Sequence, residues 1–123
     1  MNIEQNGDSF INESISIFVP YKPVPKGRPR MTRRGRVFTP QRTMDAETLV
    51  RTAWGNNKKF EGAVSLVINF GTDGTLIAAC PYYGENSKLR GDIDNYIKTI
   101  MDGLNGAAWD DDKQVMYVAA EKQ

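Results

Sequence analysis

The chain contains no histidine. That absence excludes zinc and histidine-metal nuclease chemistry, and it leaves the single cysteine, Cys80, without the base that a catalytic thiol wants. One cysteine also excludes an intramolecular disulfide, which fits a reducing cytoplasm. Cys80 lies in an apolar run and reads as a small buried apolar residue. No apolar run approaches the ~18 residues needed to span a membrane. The opening MNIEQNGDSFINE has neither the basic start nor the apolar core of a signal peptide. The expected organisation is a polar leader over 1–13 and a single domain over 14–123.

Acid is missing from one long stretch. Tyr21–Arg42 holds eight basic residues and no carboxylate: Lys22, Lys26, Arg28, Arg30, Arg33, Arg34, Arg36 and Arg42. The net charge of +1, from 16 basic and 15 acidic residues, conceals this asymmetry, because the acids gather later. A basic tract and an acidic one in a small protein suggest a polyanion held against a bound metal. Pro20, Pro23, Pro25 and Pro29 forbid a helix in the basic tract and keep it extended and stiff. Such a run is ordinarily a solvated loop. Here its stiffness and its arginine forks suit phosphate oxygens, so Lys22, Lys26, Arg28, Arg30, Arg33, Arg34 and Arg36 are candidate DNA-backbone contacts. Phe38, Tyr82 and Tyr83 could stack on unpaired bases, although aromatics more often serve a core.

What is present reads as an α+β chain. Ile15–Val19 predicts a strand, and Gly35 between MTRR and RVFT predicts a weak basic hairpin. Thr39-Pro40 opens a helix over Gln41–Trp54 with an apolar stripe of Met44, Leu49, Ala53 and Trp54, closed by Gly55. Ala63–Phe70 alternates strongly, Thr72-Asp73-Gly74 turns, and Thr75–Cys80 pairs back as a hairpin. A second helix runs from Ile93 to Leu104, stopped at Asn105-Gly106, and Gln114–Ala120 predicts a last strand. The expected fold is a mixed sheet of about four to five strands carrying two helices.

Gly91–Val115 carries Asp92, Asp94, Asp102, Asp110, Asp111 and Asp112. Ile93, Tyr96, Ile97, Ile100, Met101 and Leu104 share one helical face; Asp94, Lys98 and Asp102 line the other. Taken singly, Asp92 reads as a helix cap, and Asp94–Lys98 as a surface ion pair contributing about 0.2–0.5 kcal/mol. Taken together, the carboxylates concentrate like charge. Two carboxylates ~4 Å apart repel by ~1–4 kcal/mol at effective dielectrics of 80 to 20, and a divalent cation offsets that. Oxygen ligands without histidine suit Mg²⁺, with Mn²⁺ as a substitute, rather than Zn²⁺.

The run Asp92-Ile-Asp94-Asn95, then Lys98, Asp102 and Leu104, then Trp109 and Asp111-Asp112-Lys-Gln114-Val115, resembles the signature of the RusA family of Holliday-junction resolvases. The upstream PVPKGRPR, with a helix after Thr39-Pro40, is similar to phage-type members. The resemblance covers most of Tyr21–Ala120. It implies a homodimeric, Mg²⁺-dependent crossover junction endodeoxyribonuclease, a hydrolase that resolves four-way DNA by paired nicks in recombination and repair, of phage or prophage origin. It places the three essential aspartates on Asp92, Asp94 and Asp112 and the catalytic lysine on Lys98. Asp110, Asp111 and Asp112 are three candidates for the third metal ligand; Asp112 has the register relative to Gln114-Val115. Asn95 and Asp111 are candidates to orient the site. Two other readings compete: a branched-DNA-binding protein with a structural acidic cluster, and a nucleotide-sugar transferase using Asp92-Ile-Asp94 as its D-x-D. The second has no use for a basic, proline-rich arm.

Overall fold

β-Branched and aromatic residues start the sheet, with Ile15–Val19 forming β1. The structure, a computed structural model, describes residues 13–27 and 30–123, with Arg30 through its backbone alone. Residues 1–12 of the expected leader, and the candidate contact Arg28, lie outside the described residues. The chain divides into two compact units, Met1–Tyr82 and Tyr83–Gln123.

In the first unit, the alternation of Val64, Leu66, Ile68 and Phe70 becomes strand β4 (Val64–Phe70). It pairs with β5 (Thr75–Pro81), which lies between β4 and β1 in a three-stranded antiparallel sheet. Gly71 N–H closes the connecting turn by donating to the Gly74 carbonyl at 2.8 Å. Glycine is required at 74, because a Cβ there would strike the Phe18 ring and come within 2.9 Å of the Val19 carbonyl oxygen. The register sets Val19, Thr75, Ile77, Ala79 and Ile68 on one face. Helix α1 (Gln41–Trp54) packs at β1. Among the described residues, the buried core comprises the apolar Val19 and Ala79 together with Thr43 and Thr75.

Helix α1 has the predicted limits. The Pro40 carbonyl accepts the N–H of Thr43 at 3.1 Å and of Met44 at 3.2 Å, and Gly55, at φ 59°, ends the helix with its N–H on the Arg51 carbonyl. Of the predicted stripe, Leu49, Ala53 and Trp54 are half-buried, whereas Met44 is 46% exposed and Thr43 takes the inward position. Thr43, Ala46, Glu47, Leu49 and Val50 line a cavity of about 290 Å³ against Val19, Ile68, Thr75 and Ile77. The buried Thr43 hydroxyl accepts the Gly27 N–H at 2.9 Å. That bond ties the proline-rich segment to α1, and Lys26 adds an ion pair to Glu47 at 3.3 Å.

The weak hairpin signal is realised. β2 (Arg30–Met31) and β3 (Val37–Phe38) pair antiparallel as a separate two-stranded ribbon. Thr32 N–H donates to the Arg36 carbonyl at 2.7 Å, Arg36 N–H to the Thr32 hydroxyl at 3.0 Å, and Gly35 takes the turn at φ 82°.

In the second unit, α2 (Ile93–Leu104) also has its predicted limits, with Asp92 before it and Asn105-Gly106 after it. Gly106, at φ 83°, donates its N–H to the Trp109 carbonyl at 2.7 Å. None of the α2 residues is buried: Ile97 and Met101 are half-buried, and Tyr96 and Ile100 are exposed. The predicted strand Gln114–Ala120 does not form. Asp112–Gln114 is instead a 3-10 turn, and Met116 and Tyr117 beyond it are 85% and 84% exposed. The local side-chain caps described below wind the chain there, and among the described residues this unit has no strand for 114–120 to pair with. The class is therefore α+β as expected, with an antiparallel three-stranded sheet in place of a mixed sheet of four to five.

Candidate active site

Asp92 is the residue before α2, in extended conformation (φ −72°, ψ 142°). Its carbonyl accepts the N–H of Asn95 and Tyr96 at 3.1 and 3.3 Å, but its carboxylate makes no capping bond. The exposed carboxylate is thus not occupied as a cap, at a helix end where the backbone amides favour negative charge. Asp94 follows in the first turn and Lys98 lies one turn on. No ion pair joins them among the described residues, so the surface-pair reading is not realised. Asn95 lies between, in the first turn, its carbonyl accepting the Thr99 hydroxyl at 3.2 Å.

The loop entering α2 is held from both sides. Gly91 N–H donates to the Tyr96 hydroxyl at 3.1 Å, and the Lys122 ammonium donates to the Gly91 carbonyl at 2.9 Å. A Cβ on Gly91 would come within 2.9 Å of the Tyr96 ring. The Ser87 hydroxyl donates to the Gln123 carbonyl at 3.0 Å, a second bond between this loop and the last residues.

The triple aspartate divides its tasks. Asp111 caps the 3-10 turn, accepting the Lys113 N–H at 2.8 Å. Gln114 completes a capping box by accepting the N–H of Asp110 at 2.7 Å and of Asp111 at 3.1 Å. Asp112 is half-buried, and its Oδ1 accepts the Trp109 indole N–H at 2.8 Å. Of the three, Asp111 has a structural use for its carboxylate, and Asp112 is held in one orientation with Oδ2 outside that bond.

The donor set is all carboxylate, with no histidine in the chain, and its chemistry suits a hard divalent cation. Among the described residues, no three His, Cys, Asp or Glu side chains are grouped as a metal site requires. Asp92 and Asp94 share the start of α2; Asp112 does not join them in such a group.

The basic candidates belong to the first unit. Lys22 and Lys26 are exposed on the extended segment, and Lys26 is engaged by Glu47. Arg33, Arg34 and Arg36 are exposed at the tip of the β2–β3 ribbon, with no acidic partner among the described residues. The Arg30 side chain lies outside what the structure describes. Sequence reasoning placed Trp109 and Gln114 in the signature without a hydrogen-bonding task for either, and it did not name Lys122. Trp109 lies three residues before Asp112, a spacing that a tight turn closes and that could have been read; Lys122 meets Gly91 across a separation of 31 residues, which leaves no local signal.

A protein-family model described as Endodeoxyribonuclease RusA matches residues 20–123. No curated protein and no solved structure matches the chain.

Proposed function

The chain belongs to the RusA family of endodeoxyribonucleases, which resolve Holliday junctions, and from that premise we propose that it cuts four-way DNA by Mg²⁺-dependent paired hydrolysis, acting as a homodimer in the cytoplasm during recombination and repair. The observation that carries the reading is the extent of the family match, which spans the basic tract and the whole acidic signature together.

Phosphodiester hydrolysis needs a positioned phosphate, an in-line water and stabilisation of charge on the leaving oxygen. Asp92, Asp94 and Asp112 would hold Mg²⁺, or Mn²⁺ in its place; their assembly around one ion is part of the proposal. When bound, such an ion neutralises phosphate charge and makes its water more acidic. The remaining work falls to this chain's own groups. The Lys98 ammonium, not engaged by Asp94, stabilises the charge that develops on the phosphate. Trp109 holds Asp112 in one orientation through Oδ1. Asp111 and Gln114 fix the turn that carries Asp112, and Asn95 orients a carboxylate or a water at the start of α2. Lys22, Arg33, Arg34 and Arg36 hold the phosphate backbone.

One observation favours a second reading. The ungrouped carboxylates are what a branched-DNA-binding protein with structural aspartates would have. A synthetic four-way junction incubated with the protein in Mg²⁺, in Ca²⁺ and in EDTA separates the two. Symmetric nicks in Mg²⁺ alone support the enzyme; equal binding in all three with no nicks supports the binder.

A further inference from the structure

The β2–β3 ribbon combines two properties that a merely solvated loop does not need. Its turn carries Arg33, Arg34 and Arg36, all exposed and without an acidic partner among the described residues. Its strands carry large apolar side chains that are also exposed: Met31 at 68%, Val37 at 61% and Phe38 at 44%. Met31 and Val37 are direct cross-strand partners, so they stand on the same face and make one small apolar platform; Phe38, the next residue, points to the other face. Two-stranded ribbons are marginally stable alone in water. An uncovered one with apolar side chains on its faces has surface to gain from an occupant.

The charge identifies that occupant. Three exposed guanidinium groups beside an apolar platform complement a polyanion that also presents flat apolar surface. Duplex DNA offers the phosphates but hides its base faces in the stack, and opening one step is costly. At the branch point of a four-way junction, the last base pair of an arm can expose a face without that cost. A protein surface of the same chemistry would lack the phosphates that three arginines match.

We propose that the ribbon is the junction-selecting element of this protein: Arg33, Arg34 and Arg36 grip backbone phosphates of any DNA, and the Met31–Val37 platform lies against the base pair exposed at the branch point. The proposal rests on the DNA-cleaving reading above and adds how branched DNA is told from duplex. Affinity comes from the arginines and is salt-dependent; selectivity comes from the apolar pair and is not.

The test uses the full chain in EDTA, so that nothing is cut, with a four-way junction carrying 2-aminopurine beside the branch point and a duplex of equal length. Wild type is expected to change the 2-aminopurine fluorescence and to prefer the junction. Met31→Ser with Val37→Ser should keep duplex affinity within about twofold, lose the fluorescence change, and lower the junction-over-duplex preference about tenfold. Met31→Leu with Val37→Ile should behave as wild type, which separates the effect from misfolding. Arg33→Ala with Arg34→Ala should weaken both DNAs alike and flatten the salt dependence by about 0.9 for each phosphate no longer neutralised. The proposal is overturned if the serine variant keeps the full preference and the fluorescence change. It is also overturned if that variant alters only the mass in sedimentation, which would make the ribbon a contact between copies. If wild type neither prefers nor, in Mg²⁺, cuts the junction, the DNA-cleaving reading itself fails.

Discussion

Trp109 donates its indole N–H to Asp112 Oδ1 at 2.8 Å, and this bond singles out one carboxylate from a run of three. Asp111 is committed to capping and Asp110 is exposed, whereas Asp112 is half-buried and oriented. Trp109→Phe keeps an aromatic ring and removes the donor. Junction cleavage should fall by roughly 10–100-fold, the scale on which misplacing a catalytic group acts. Binding measured in EDTA should be unchanged. Unaltered single-turnover cleavage by the variant would mean that this bond does not position a working group.

Lys122 reaches back 31 residues to the Gly91 carbonyl, next to Asp92. Lys122→Met keeps most of the side-chain bulk and removes the hydrogen bond, a loss of about 1 kcal/mol. Amide exchange should quicken at Gly91 and through the first turn of α2, with little change in the first unit. Uniform exchange rates across wild type and variant would show that the tail does not secure this loop.

In the first unit, the buried Thr43 hydroxyl is the acceptor for Gly27 N–H. Thr43→Val is close to isosteric and leaves that N–H unpaired, so unfolding free energy in urea should drop by about 1–3 kcal/mol. Thr43→Ser keeps the oxygen and should retain the bond, losing only methyl packing. Equal losses in the two variants would assign the effect to packing instead.

Helix α2 exposes Tyr96 at 41% and Ile100 at 62%, an apolar surface that the proposed homodimer could use. Ile100→Glu should then shift the sedimentation mass from two chains to one and replace paired cuts by single nicks. A wild type that sediments as one chain would remove the dimer from the account.

The limits of both helices were legible because periodicity and punctuation agree: Pro40 and Gly55 bound α1, and Asp92 and Asn105-Gly106 bound α2. The β4–β5 hairpin was legible from alternation over Val64–Phe70 and a turn closed by Gly74. The exposure of Met44 at the start of α1 was not, because Thr43 faces inward there, held by a hydrogen bond from Gly27, 16 residues away. The strand expected over Gln114–Ala120 failed for a local reason: Asp111 and Gln114 cap a 3-10 turn, a pattern visible in the residues but outweighed there by the apolar run that follows. In the site, the acidic residue types were legible, as was the tight turn that carries Asp111 and Asp112. The bond from Trp109 to Asp112 and the bond from Lys122 to the Gly91 carbonyl were not.

The central claim is that Asp92, Asp94 and Asp112 act together on DNA, and single Asp→Asn replacements in junction cleavage test it most directly. Each substitution keeps size and removes charge. The account predicts that all three variants bind the four-way junction in EDTA as wild type does and lose Mg²⁺-dependent nicking by several orders of magnitude. Wild-type nicking by the three variants would contradict it.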